Sequence, residues 1–379
     1  MDIEFHYYMT YLIAARAGFS PEHAEILAHA SQSVDDNHLR YRVKAPAGDY
    51  LNYVSQTMDI LKPTSQLARI YPIFHFIPGD PDAPSAARKD GRKDPWVTTP
   101  NSPVAQKMLK SALGSGNLYR IGVSAHGYVD TWAHQNFLGR RDAYNDLPGA
   151  SWVKTLLNVG HGSAGHQPDQ PGASWVKTLL NVGHGSAGHQ PDQPALVWTD
   201  PRLVEDRVDN RRRFLEAAEA LFVRLALHVN PARSETALAA DCAALGHDLN
   251  EDIGPPDPHG DPALRHARIA RYVARAVTPA YGGVALEPYD EYAWFNAAIV
   301  EDAAGLRQKL DDFLGLADDF IDQTTAIPCT WRDPIGYNHT DWHRLVEAVK
   351  AHQLACWDIL VAENLPGLGA NDLADELAG

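Results

Sequence analysis

The chain has 379 residues, enough to bury a full core without covalent staples, and its three cysteines, Cys242, Cys329 and Cys356, are too scattered for a disulfide framework or a Cys-rich zinc finger. Hydrophobic residues make up 45% of it and charged residues 21%, a globular balance that excludes disorder as the main state. With 48 acidic against 33 basic residues the net charge is -15, which disfavours non-specific binding to nucleic acid, and the acidic opening Met1-Asp2-Ile3-Glu4 with no long apolar run points to a cytoplasmic protein without a membrane span.

Apolar residues recur at helical spacing over roughly 3–17, 20–36, 47–61, 102–113, 117–138, 203–228, 234–246, 262–276, 299–322 and 340–363, and strand alternation is scarce. The expectation is an all-α, multi-helix single domain with long loops, Pro78 to Pro103 and Gly254 to Pro262 among them. Residues 1–200 would form a half built around a metal site, and 201–379 a helical C-terminal half.

His6 opens the first helix. The second starts on an N-cap serine, Ser20, followed by Pro21, and its apolar stripe of Ile26, Ala30 and Val34 runs directly into Asp35 and Asp36. That places two carboxylates at a buried helix end. His75 follows in Tyr71-Pro-Ile-Phe-His-Phe-Ile-Pro, an apolar setting where a charged imidazole would be costly. As solitary residues, His6 and His75 also fit the description of core histidines with satisfied hydrogen bonds.

The strongest local pattern is His126-Gly-Tyr-Val-Asp130-Thr-Trp-Ala-His134. Spacing of four and four puts three polar side chains along one side of a helix, where imidazole nitrogen and carboxylate oxygen suit zinc, manganese or iron. The plainer alternative is a pair of core histidines tied to an aspartate.

The 23-residue string PGASWVKTLLNVGHGSAGHQPDQ then occurs at 148–170 and again, unchanged, at 171–193. Solenoid repeats diverge and need more copies, so two identical copies indicate a recent tandem duplication or a sequence artefact. The string supplies His161, His166 and Asp169, or else His184, His189 and Asp192, on a glycine-rich turn able to aim several side chains at one point. We favour the second copy, which runs without interruption into Ala195-Leu-Val-Trp198, although identity of the copies leaves both open. The same string holds a GxGxxG pattern, but two prolines follow where a phosphate-binding fingerprint needs a helix. His247-Asp248 is a second metal template, of a kind expected about once by chance in a chain this rich in both residues.

In order along the chain, His6, the Asp35-Asp36 pair, His75, the helix with His126 and Asp130, His134 and a final His/Asp cluster resemble the zinc-dependent phospholipase C and single-strand nuclease superfamily. The opening, with Phe5-His6, Ala17-Gly18-Phe19 and Val34-Asp35-Asp36, also looks like an uncharacterised family distantly related to it. The resemblance covers mainly residues 1–200. It implies an all-helical fold with one ion held by Asp35 or Asp36, His75, His126 and Asp130, a second by His134 and the Gly/His loop, and a third by His6 and a bridging Asp130. Two departures stand out: three residues separate Asp130 from His134 where the superfamily usually has five including a proline, and Met1 stands where it uses a processed N-terminal tryptophan.

The function expected is a hydrolase with two or three divalent ions, zinc first among them, acting on a phosphoester through metal-bound hydroxide. Asp130 would bridge ions and Asp36 would orient water. The alternative is a non-catalytic, metal-stabilised binding or scaffold protein, distinguished by a closed ligand set with no open coordination position.

Overall fold

A computed structural model of the protein describes residues 1–46, 48–57, 67–140, 142–147, 184–301 and 326–368. A π-helical turn, Glu4–Met9, runs into α1 (Thr10–Ala17), and α2 (Pro21–Asp36) follows, its Ser20 hydroxyl accepting from the His23 amide at 3.3 Å. After β1 (Tyr41–Ala45) and β2 (Gly48–Leu51) come a single turn, α3 (Tyr71–Phe74), and the paired helices α4 (Pro103–Ser115) and α5 (Leu118–Ala133). The hairpin β3 (Val197–Thr199) and β4 (Arg207–Asp209) leads into α6 (Asn210–Val229), α7 (Glu235–Ile253) and α8 (Pro262–Ala276). The short α9 (Ala293–Ala298), β5 (Ile327–Thr330) and the long α10 (Asp341–Ala362) complete the described chain.

The protein is mostly helical, but it is not purely all-α. β1 pairs antiparallel with β2 and parallel with β5, while β3 and β4 form a separate two-stranded sheet. The helix expected at 47–61 is therefore corrected. Gly48, at a φ of +127°, opens the return strand, and Asn52 fastens the hairpin by accepting from the Tyr41 amide at 2.7 Å and donating to the Leu39 carbonyl at 2.8 Å. The helix expected from 203 starts only at Asn210, because β4 takes the preceding residues and the Asp209 side chain caps the helix. Most of the stretch expected at 299–322, and the whole first repeat copy with His161, His166 and Asp169, lie outside the described residues.

α5 is the axis of the molecule. Every residue from Ile121 to Ala133 is buried, so the helix is covered on all sides. Two glycines permit the closest approaches. A Cβ on Gly122 would lie 2.4 Å from the Leu27 carbonyl of α2, and one on Gly127 would lie 2.9 Å from the Phe74 carbonyl of α3. These contacts carry Asp35, at the end of α2, and His75, just after α3, to the face of α5 that holds His126 and Asp130. One continuous apolar core draws on both halves of the chain, from Phe5 and Leu27 through Val129 to Phe222, Val349 and Trp357. No helix among the described residues is long and apolar enough to cross a membrane.

Candidate metal centre

Three buried triads bring ligand atoms within 4.8 Å of one another: His6, His126 and Asp130; Asp35, His75 and His126; and His134, His184 and Asp192. His6, His75, His126, Asp130 and His134 have no exposed surface, and the Asp35 side chain, 12% exposed, is the most open of the set. Asp130 sits in the middle. Its carboxylate lies 3.3 Å from His6 Nε2, 3.3 Å from His126 Nε2, 3.5 Å from His75 Nδ1 and 3.5 Å from His134 Nδ1.

The backbone fixes the tautomers of four of these rings. His75 Nε2 donates to the Ser55 carbonyl at 3.0 Å, His126 Nδ1 to Ser31 at 2.8 Å, His134 Nδ1 to His75 at 2.9 Å, and His184 Nδ1 to Gly188 at 2.9 Å. A carbonyl only accepts, so each of those nitrogens carries the proton and the opposite nitrogen of a neutral ring presents a lone pair. Burial lowers the pKa of His75, lowers that of His126 much further and brings His184 down to about 4, so these rings stay neutral.

The lone pairs converge. His75 Nδ1 and His126 Nε2 are 3.2 Å apart, His126 Nε2 is 3.5 Å from Asp35 Oδ1, and the Nε2 atoms of His134 and His184 lie 3.2 and 3.3 Å from the Asp192 carboxylate. Acceptor facing acceptor at these distances is repulsive unless a proton or a metal cation lies between them. His6 completes the picture. Its ring stacks on His126 at 3.8 Å, burial and the Met1 ammonium lower its pKa to about 4, and neither ring nitrogen has a hydrogen-bond partner. Asp35 Oδ1 and Asp130 Oδ2 likewise lack a hydrogen bond. Imidazole nitrogens whose N–H groups are tied to carbonyls, gathered with the carboxylates of Asp35, Asp130 and Asp192, fit divalent transition metal ions.

The model of a family of unknown function, DUF6765, matches residues 1–179 and 176–360. The chain belongs to this family. The overlap of the two DUF6765 matches, 176–179, falls within the second copy of the duplicated string. No curated protein and no solved structure matches the chain, so the likeness to zinc phospholipases and nucleases gains nothing from the comparisons.

Of the sequence-expected ligands, His6, Asp35, His75, His126, Asp130, His134, His184 and Asp192 come together, while two do not. Asp36 turns away from the triads. It accepts from the Tyr289 hydroxyl at 2.6 Å and from Gln32 Nε2 at 3.3 Å, and it lines a separate cleft with His29 and Trp294. His189 is exposed beside the triad of its own loop.

Sequence reasoning missed the Met1 amino group, which contacts Asp130 and lies 3.3 Å from Asp192 Oδ1. Burial alone would lower its pKa, but Asp130, Asp192 and Asp35 outweigh that and raise it to about 11. It also missed Glu4, fully buried and held by Arg268 through two bonds of 2.9 and 3.0 Å, which anchors the π-helical turn that presents His6. The available signal was a glutamate embedded between Ile3 and Phe5.

Proposed function

We propose that the three triads form one polynuclear centre for divalent transition-metal ions, zinc first among them, and that the protein is a metal-dependent hydrolase of phosphoesters. The observation that carries this reading is the facing lone pairs of His75 and His126, 3.2 Å apart, both with their N–H groups committed to backbone carbonyls. A core without ions would have to bear that repulsion, with three buried aspartates set against the Met1 ammonium.

Divalent ions bound there would lower the pKa of a water and polarise an ester oxygen. The chain's own residues supply the rest. Asp130, within reach of His6, His75, His126 and His134, would help hold ions in the neighbouring triads. The triad of His134, His184 and Asp192 offers three ligands, the number that leaves a tetrahedral ion one position for solvent or substrate, whereas the single lone pair of His126 Nε2 can serve just one of the two triads that share it. Asp35 is the side of the cluster from which a substrate would approach, since the other members are more deeply buried. Asp36, hydrogen-bonded to Tyr289, is left out of proton transfer at the centre.

Near-complete burial of His6, His126 and Asp130 favours a second reading, a closed and purely structural metal core. One experiment separates the two. Metal analysis of protein purified without chelator is paired with hydrolysis of an activated phosphodiester by the same preparation. Bound metal with turnover lost on chelation supports the hydrolase, bound metal without turnover supports the structural core, and less than one equivalent with unaltered melting after chelation sinks both.

A further inference from the structure

One residue beyond His134, Gln135 lines a cleft of about 470 Å³, walled by Ser85, by Arg207 of β4, and by Arg212 and Arg213 in the first turn of α6. The floor is unusual for so acidic a protein. Arg213 is only 7% exposed, and its guanidinium makes a single long hydrogen bond of 3.4 Å, to the Ala133 carbonyl. Among the described residues no carboxylate lies within ion-pair distance of it.

Two acids, exposed Glu205 and half-buried Asp209, also line the cleft, and the other nearby acids are engaged. Asp200 takes Arg202 in a two-pronged contact of 2.9 and 2.6 Å, and Asp209 accepts from the Arg212 amide as the α6 cap. Arg212 faces Glu216 at 3.7 Å on the exposed side of the helix. An interior guanidinium without a counter-ion costs several kcal/mol in general, and basic residues at a helix N-terminus meet the positive end of the helix dipole. Asn210-Arg-Arg-Arg213 places three there. Burial brings Arg213 down to about 10 against the opposing pull of Asp200.

We propose that this cleft is an oxyanion site that takes the phosphate group of a small soluble molecule, with Arg213 as its buried fork, Arg207 as a second cation and Gln135 beside them. A planar fork of N–H donors matches two phosphate oxygens, and the positive end of α6 adds to the attraction instead of opposing it. The site is separate from the metal triads and does not rest on their being occupied.

The test is calorimetric titration of inorganic phosphate into the protein as purified, with Arg213→Gln, Arg207→Gln, Arg212→Gln and Asp130→Asn in parallel. Loss of a charge-assisted bidentate contact should weaken phosphate binding about tenfold in Arg213→Gln and less in Arg207→Gln, with under about twofold change in Arg212→Gln. Binding should persist in Asp130→Asn, which separates this site from phosphate held by metals. Arg213→Gln should also melt no lower than the parent in phosphate-free buffer and lose the parent's stabilisation when phosphate is added. If Arg213→Gln does not fold, Arg207→Gln, at an exposed position, carries the comparison. The proposal is overturned if no saturable binding is seen below about 10 mM phosphate, if the two cleft variants bind as the parent does, if acetate binds as well as phosphate, or if Asp130→Asn abolishes binding.

Discussion

Two groups of histidine and carboxylate in this protein have similar chemistry and opposite settings. His126 with Asp130 and its neighbours is enclosed on the central helix, whereas His247, Asp248 and Glu251 lie on the outer face of α7. Both bring three ligand atoms within 4.8 Å, so proximity does not distinguish them. In the outer group the His247 and Glu251 side chains are 68% and 56% exposed, and Asp248 is already served by Arg275 at 3.0 Å and the Tyr281 hydroxyl at 2.6 Å. In the inner group the N–H atoms of His75, His126, His134 and His184 are used up on carbonyls, leaving lone pairs aimed at one another and at carboxylates. What marks a candidate ion site is unsatisfied acceptors forced together, and solvent or an arginine removes that condition.

The comparison breaks most directly on metal removal. Stripping ions from the inner group should expose buried carboxylates to one another with the Met1 ammonium as their counter-cation among the described residues, so melting should fall by many degrees and recover on adding zinc back. Scanning calorimetry before and after chelation, beside elemental analysis, checks this. An unchanged melting temperature would place the inner group with the outer one.

Asp130→Asn comes next. It preserves size but removes the charge that faces four histidines, so about one ion or more per chain should be lost, together with any phosphodiester turnover. Full metal occupancy in this variant would make Asp130 a structural residue. His184→Ala should have a narrower effect, loss of about one ion from the triad with His134 and Asp192, while His189→Ala keeps all of them. Metal content of the two variants, and of His161→Ala with His166→Ala, then reads which copy of the repeat serves the centre. Equal losses from both copies would show a shared site.

How far these features could be read beforehand follows from the range of the forces that set them. The four-and-four spacing of His126, Asp130 and His134 is local helix geometry and was legible, as was the apolar stripe that delivers Asp35. Which of Asp35 and Asp36 faces the triads was not. Adjacent helical residues point about 100° apart, and the rotation of α2 is set by its contact with Gly122, nearly ninety positions from either aspartate. The tautomer-fixing carbonyls of Ser31, Ser55 and Gly188 have no side-chain signature at all. The strands were missed for a related reason. Each is three to five residues long, and β1 finds its parallel partner only at Ile327, beyond the reach of a periodicity window.

The smallest expected effect tests the outer group itself. His247→Ala should leave metal content unchanged and shift melting by about 1 °C or less, because an exposed pair such as His247 and Glu251 at 3.5 Å gains little over its hydrated state. Arg275, bound also to Asp252 at 2.9 Å, would continue to neutralise Asp248 after the change, so no carboxylate is left without a counter-charge. Metal analysis and a melting curve on this variant are the sharpest control on the argument from satisfied and unsatisfied acceptors. Loss of an ion here would mean that proximity and exposure suffice for binding, and the tautomer pattern around His75 and His126 would then lose its weight as the mark of a metal centre.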